Sequence, residues 1–387
     1  MLPTDVDAVG VLFWAAGLLL LYTYVGYPLA VVARARLRPR PVDARPAMPF
    51  VSVVVVVHDE ERRIAARLDN LLTLDYPPER LEILVGSDGS TDDTVSRAKE
   101  RESSRLRVFP FAARRGKPAV LNDVVPQARG EVVLFADARQ RFEAGALRAL
   151  ASAFSDDGVG AASGELVLTS DGHPSNTVGE GVGFYWRYEK MMRVSESATD
   201  STVGATGAIY AVRRALFEPI PEDTILDDVL IPLRVVRRGY RVVFVRDAVA
   251  YDHVTTSAQD ELRRKARTIG GTFQLFAHER WLLDPRRNRI WFQTISHKLL
   301  RLLSPLLLAL VAVASLWRFD SGFYRAAFLL QLTFYTLALA GHLLTGGEKR
   351  FPVLGVPYAF CLLNWATVVG LFRFLTGRQS ATWKRAD

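Results

Sequence analysis

The chain has 387 residues, 49% of them hydrophobic, a formal net charge of +8 and a mean hydropathy above zero. That is apolar for a soluble enzyme, leaves room for two or three structural units, and leads us to expect membrane segments. The single cysteine, Cys361, lies in an apolar run, which excludes a disulfide framework and a zinc cluster and fits a reducing compartment for the soluble part; the basic residues concentrate beside apolar segments, which argues against a nucleic-acid partner.

Ala8 to Ala33 is uncharged over 26 residues, enough to cross a hydrocarbon core of ~30 Å. Asp5 and Asp7 precede it and Arg34, Arg36, Arg38 and Arg40 follow. That charge order is unlike a signal peptide, and it puts the amino terminus outside and the next domain in the cytoplasm. Pro39, Pro41, Pro46 and Pro49 make a stiff linker. Five consecutive Val residues after Ser52 are β-branched and apolar on both faces, the pattern of a buried parallel strand. It breaks off at His58-Asp59-Glu60-Glu61. Ile64, Leu68, Leu71 and Leu72 then recur at helical spacing, and Leu81 to Gly86 is a second strand running into Ser87-Asp88-Gly89-Ser90-Thr91-Asp92. This is a βαβ unit with its polar residues at the carboxyl ends of the strands, where open α/β sheets bind ligands.

Leu106 to Phe111 reads as a further strand, and Arg114-Arg-Gly-Lys117-Pro-Ala-Val-Leu-Asn122 opens a helix. Glu131 to Asp137 is a buried strand ending in an acid, followed by Arg139. Gly160 to Leu168 is a strand, a helix begins at Tyr185, and Gly204-Ala-Thr-Gly207 leads into another strand. Ile225-Leu226-Asp227-Asp228 opens a helix through Arg237, before a strand at Val242 to Val245. Glu261 to Gly271 is a basic helix on which Arg264 and Arg267 share a face. Trp281, Trp291 and Phe292, with Arg286, Arg287 and Arg289, form an interfacial segment. Three apolar runs follow, Leu302–Trp317, Ala326–Gly347 and Phe351–Phe372; the first, at 16 residues, is short unless Leu299 and Leu300 join it and Arg301 snorkels. Three crossings from a cytoplasmic domain would leave Arg373, Arg378, Lys384 and Arg385 outside, so either one run is re-entrant or interfacial or the tail is external; a cytoplasmic tail is the expectation. The resulting division is 1–48, membrane helix and linker; 49–255, catalytic domain; 256–298, interfacial helices; and 299–387, membrane region and tail.

The ordered set His58-Asp59-Glu60, Asp88, Lys117, Asp137, Gly207, Asp227-Asp228 and Arg267 resembles the family 2 glycosyltransferases, in particular membrane-embedded ones such as cellulose, chitin, hyaluronan and poly-N-acetylglucosamine synthases. The resemblance covers nearly the whole chain and implies a GT-A fold: an α/β, Rossmann-like, mostly parallel sheet with one N-terminal and about three C-terminal transmembrane helices, in the cell (inner) membrane. It also implies residue roles. His58, in place of the usual Tyr, and Asp88 would meet uridine, with Glu60 in the same turn. Lys117 would lie near the nucleotide, against the plainer reading of a solvated basic turn. Arg264-X-X-Arg267 stands for the family's Gln-X-X-Arg-Trp, with Thr268 in place of the Trp, and would hold the diphosphate, since guanidinium forks suit phosphate; the rival is a basic helix lying on anionic lipid. Trp186, Gly204 and Gly207 would shape the acceptor site, while Trp186 and Tyr188 serve equally as core.

Sugar transfer needs a carboxylate to take the acceptor hydroxyl's proton as that oxygen attacks C1 of the donor. Asp228 is the expected base, with Asp227 raising its pKa or capping the helix. The family's Asp-X-Asp would hold Mg or Mn, but here Arg139 replaces the second acid and guanidinium has no acceptor. Asp137 is therefore expected to hold the ion alone, completed by phosphate, water or His253, with Arg139 turned aside to an acid or a phosphate. The implied activity is inverting transfer of a hexose or N-acetylhexosamine from a nucleotide-sugar, a UDP-sugar, to a growing polysaccharide. The alternative is single transfer to a lipid acceptor of the ceramide or polyprenyl-phosphate type. Membrane lipids are further partners; nucleic acid is not.

Overall fold

A computed structural model describes residues 7–170, 173–174, 180–253, 258–344 and 352–378. The chain enters on α1 (Ala8–Leu21), continued through a π-helical turn, Tyr22–Gly26, into α2 (Tyr27–Leu37), a helix of 30 residues long and apolar enough to cross a membrane. β1 (Val51–Val57), α3 (Ile64–Leu72), β2 (Leu81–Asp88), α4 (Thr94–Lys99) and β3 (Leu106–Phe111) follow, the three strands pairing in parallel from β1 outward to the sheet edge at β3. After α5 (Lys117–Val124) the chain crosses to the other side of β1, where β4 (Val132–Ala136) pairs in parallel with it. That crossing is the switch point of the sheet, and His58, Asp88 and Asp137 stand at the carboxyl ends of the three strands around it.

The sheet is completed by β5 (Arg141–Phe142), β6 (Val159–Ser170), β7 (His173–Pro174), β8 (Ile209–Arg213) and β9 (Arg241–His253), in the order β3-β2-β1-β4-β8-β6-β9-β5 with β7 beside β6. β8 runs against β4, which brings the glycine turn before it to the end of the sheet that carries Asp137. Between these strands lie α6 (Ala146–Ser152), α7 (Glu180–Thr199) and α8 (Asp227–Arg237).

All seven residues of β1 are buried, as the Val run demands. Alternation sends Val51, Val53, Val55 and Val57 to one layer with Ile64, Leu68 and Leu71, and Val54 and Val56 to the other with Val120, Leu121 and Val124. Each such Val stabilises by about 1.5–3 kcal/mol relative to exposure, so this strand anchors both layers.

α9 (Ala258–His278) leaves the sheet and packs on the membrane region. α10 (Trp291–Gln293), a π-helical turn Thr294–Leu299 and α11 (Leu300–Trp317) make one continuous helix of 27 residues, followed by α12 (Gly322–Leu344) and α13 (Pro352–Leu375). All three are long and apolar enough to span a membrane. The short first run is thus lengthened as anticipated by Leu299 and Leu300, and further by the segment from Trp291. Residues 379–387 of the basic tail lie outside the described residues. Four details differ from the sequence reading. The helix expected from Tyr185 begins at Glu180, the strand expected at Val242 to Val245 runs over Arg241–His253, the basic helix of Glu261 to Gly271 extends over Ala258–His278, and Leu226, not Asp227, occupies the cap position of α8 with no side-chain cap bond.

Candidate active site

The site is built on Lys117, the first residue of α5. Its ammonium lies 3.0 Å from Asp137 Oδ1 and 3.1 Å from Asp227 Oδ2, joining the end of β4 to the start of α8. Asp88 aims it. The buried Asp88 carboxylate accepts the main-chain N–H of Arg115 at 2.6 Å and of Gly116 at 2.9 Å, fixing the turn from which Lys117 emerges. Gly116 holds that turn at a φ of 97°, which side chains rarely adopt. His58 Nδ1 lies 2.7 Å from the Asp88 carbonyl oxygen. Those residues of the expected nucleotide pocket therefore meet, with Asp88 bonded to main chain in addition to any ligand role. Glu60 is turned to Arg63 at 3.1 Å, with its own N–H donating to Thr94 Oγ1.

Asp228 Oδ2 accepts the N–H of Gly207 at 2.9 Å, and its carbonyl accepts the N–H of Ala205 at 2.8 Å, so the glycine turn wraps this acid. Burial, then the neighbouring Asp227, pushes the Asp228 carboxyl up to about 6, with Lys117 opposing. It is a carboxylate poised to accept a proton near neutral pH. Asp227 takes no capping role. Besides Lys117, it faces the Tyr210 hydroxyl at 3.5 Å, and the Tyr210 ring stacks on Phe135 at 4.6 Å between centroids. Gly204, at a φ of 92°, packs against α8: a Cβ there would come within 3.1 Å of Val229.

Arg264 and Arg267 lie on the face of α9 that also carries Gly271, and Gly271 abuts Ile225 and Leu226 immediately before the two acids. The opposite face, with Ala266 and Gly270, meets Gly370 of α13. By helical spacing both arginines start from the side of α9 on which Gly271 meets Ile225 and Leu226. Trp186, half-buried on α7, has the Lys265 ammonium 5.6 Å from its ring centre, so it joins α7 to α9. Arg139 is turned aside to Asp252 Oδ2 at 3.3 Å, which also accepts from Gln140 Nε2 at 2.9 Å.

Two contributors escaped the sequence reading. Asp252 was passed over because its partner is distant in sequence. Arg67 is buried on α3, its guanidinium 4.0 Å from the Phe142 ring centre, and burial pushes it down to about 9 against the pull of Asp137. A basic residue between Ile64 and Leu71 in an apolar stripe was the available signal.

The mostly parallel, Rossmann-like sheet with acids at its switch point has the architecture of a GT-A scaffold. The profile of "Glycosyltransferase like family 2" matches residues 46–271, and the chain belongs to that family of glycosyltransferases. Among similar proteins, the beta-monoglucosyldiacylglycerol synthase of Synechocystis sp. is 24% identical over 396 positions, covering 96% of this chain and 75% of that one. The synthase of the same name from Nostoc sp. is 32% identical over 145 residues, 36% of this chain and 31% of the relative, so the match spans about a third of that protein's length. The dolichyl-phosphate beta-glucosyltransferase of Drosophila melanogaster is 34% identical over 127 residues, 28% of this chain and 39% of the relative. The mannosyltransferase PcManGT from Pyrobaculum calidifontis, solved with GDP-Man and Mn2+, has a TM-score of 0.71 at 24% identity and covers 95% of this chain and 100% of its own, a likeness of fold.

Proposed function

We propose that the chain is an inverting glycosyltransferase that moves one sugar from a nucleotide-sugar, a UDP-sugar, to a lipid acceptor at the cytoplasmic face of the cell membrane. The observation that carries this reading is Asp228, raised to about 6 and held by Gly207 beside the Lys117 cluster. Asp228 takes the acceptor hydroxyl's proton as its oxygen attacks C1; the bond from C1 to the diphosphate breaks, and its electron pair leaves with the nucleotide. Lys117, together with Arg264 and Arg267, meets the charge that develops on the diphosphate. His58 and the Asp88 turn would take the base, and Trp186 would offer a flat face to the acceptor. A lipid acceptor is favoured by relatives named for diacylglycerol and dolichyl-phosphate products. The four membrane helices, one of them packed on α9, bring the site close to a bilayer.

A divalent ion fits this site in one form. Among the described residues no group of three or more His, Cys, Asp or Glu is gathered to hold a metal. Asp137 would be the single protein ligand, with phosphate oxygens and water completing the shell, as Mg commonly accepts. Such an ion would neutralise the departing diphosphate beside Lys117. The test is to supply purified full-length protein in lipid nanodiscs with a panel of labelled nucleotide-sugars, and to size the product. One sugar on a lipid bears the proposal out; a ladder of polymer would favour polysaccharide synthesis, and no transfer from any donor would overturn the assignment.

A further inference from the structure

Between α7 and the π-helical turn Thr294–Leu299 lies a buried charged cluster that the reaction above does not use. His297, 3% exposed, has Nδ1 2.6 Å from Glu196 Oε1 and Nε2 3.2 Å from Glu189 Oε2. Tyr27 of α2 donates to the same Glu196 oxygen at 2.5 Å, and Arg301 of α11 pairs with Glu189. Against its burial, Arg301 and His297 hold Glu189 well below the usual carboxylate range. Glu189 is thus engaged through both oxygens and Glu196 through Oε1, while Glu196 Oε2 has no hydrogen-bond partner among the described residues.

Two cations beside them make no ion pair with a described residue. Arg193 stands on α7 between Glu189 and Glu196, and Lys298 follows His297 directly, three residues before Arg301. Arg193 and Lys298 are electrostatic neighbours, both half-buried, and neither makes an ion pair or side-chain hydrogen bond with a described residue. Lys298 is also near enough to Asp228 to restrain the rise of its pKa. A half-buried cation pair that makes no ion pair of its own, with its nearest acids bonded chiefly to Arg301, His297 and Tyr27, is unfavourable until an anion arrives. Lys298 sits at the root of a membrane helix, within electrostatic reach of the acid that receives the acceptor's proton, and Arg193 stands beside Lys298.

Resting on the glycosyltransferase reading above, we propose that Arg193 and Lys298 bind a phosphate carried by the acceptor, which is then a lipid whose headgroup bears both that phosphate and the hydroxyl deprotonated by Asp228. The phosphate anchors the headgroup at α7 and the π-helical turn, leaving the hydroxyl to reach C1 of the donor. A neutral diacylglycerol or ceramide leaves the pair empty.

The test uses full-length protein in neutral detergent, with dodecyl phosphate and dodecanol as probes in equilibrium binding. Dodecyl phosphate is expected to bind at least tenfold more tightly than dodecanol. Arg193→Gln and Lys298→Gln should each remove most of that preference, while Arg193→Lys and Lys298→Arg keep it. Equal binding of the two probes, or a preference untouched by the Gln variants, would overturn the proposal. Inorganic phosphate at matched concentration should not displace dodecyl phosphate; if it does so equally well, the site takes free phosphate and the acceptor assignment falls. Nucleotide-sugar binding is measured in the same samples. Its retention in the Gln variants shows that they fold, and its absence from the unaltered protein would instead sink the glycosyltransferase reading.

Discussion

The main-chain N–H of Gly207 donates to Asp228 Oδ2 at 2.9 Å, and a Cβ at Gly207 would stand 3.1 Å from that same oxygen. The glycine is needed there for room, since both its bond and its missing side chain face the carboxylate. Gly207→Ala should displace Asp228 by a few tenths of an ångström and lower kcat by roughly tenfold, as positional errors in a catalytic group do. The melting temperature should change little. Steady-state kinetics beside a thermal scan checks this, and an unchanged kcat would remove Gly207 from the site.

Asp228→Asn keeps an oxygen for the Gly207 N–H and loses the base. Turnover should fall by roughly 100- to 10,000-fold, with donor affinity within a few fold. Stability should move the other way. The folded pKa of about 6 lies above the ordinary carboxyl value of 3.8, so this group's stabilising contribution is complete below about 3.8 and is lost as pH rises through about 6. At pH 7.5 the ionised acid is a liability of order 1–3 kcal/mol, which the amide relieves. The variant should therefore melt higher than the parent at pH 7.5 and show no such gain at pH 4. A parent rate profile that does not fall below about pH 6 would count against Asp228 as the base.

Lys117 restrains the Asp228 pKa from its place between Asp137 and Asp227. Lys117→Met should raise that pKa, moving the acid limb of the rate profile up by about one pH unit. Donor binding should weaken by roughly tenfold or more as a diphosphate contact is lost. Titrating nucleotide-sugar binding alongside the pH profile separates the two effects. A shift in affinity alone would mean that Lys117 serves the donor without tuning the base.

Arg139 is occupied with Asp252 at 3.3 Å, so it does not stand between Asp137 and an incoming cation. Activity should depend on Mg or Mn with modest affinity, and Arg139→Asp should lower the half-saturating ion concentration by supplying a second carboxylate. The concentration dependence of rate on Mn reads this directly. Full activity in excess chelator would strike Asp137 from the ligands and leave Lys117 and the arginines to neutralise the diphosphate.

Much of the fold is written locally. Period-2 and period-3.6 patterns and β-branched runs marked β1 to β4 and α3, α5 and α8, because such signals depend on neighbours in the chain. The same patterns, with the charge steps at Asp7 and Arg34, marked the N-terminal membrane helix. Local pattern failed where two elements share a role across space. Nothing near Arg139 announces Asp252, and the first C-terminal span reads as short because the polar turn Thr294–Leu299 joins it only by packing on the π-helical turn Tyr22–Gly26 and on α7 through Ser296 and His297.

By itself, then, the sequence determined the family, the order of strands and helices, and the list of acids and cations around the cleft. Only the tertiary structure decided that Lys117 stands between Asp137 and Asp227, that Gly207 grips Asp228, and that Arg193 and Lys298 come together with no ion pair among the described residues. The physical reason is that each of these depends on which strand edges pair. β4 meets β8 antiparallel, and that one pairing, selected by the packing of both layers at once, sets the glycine turn beside the end of β4 and the start of α8.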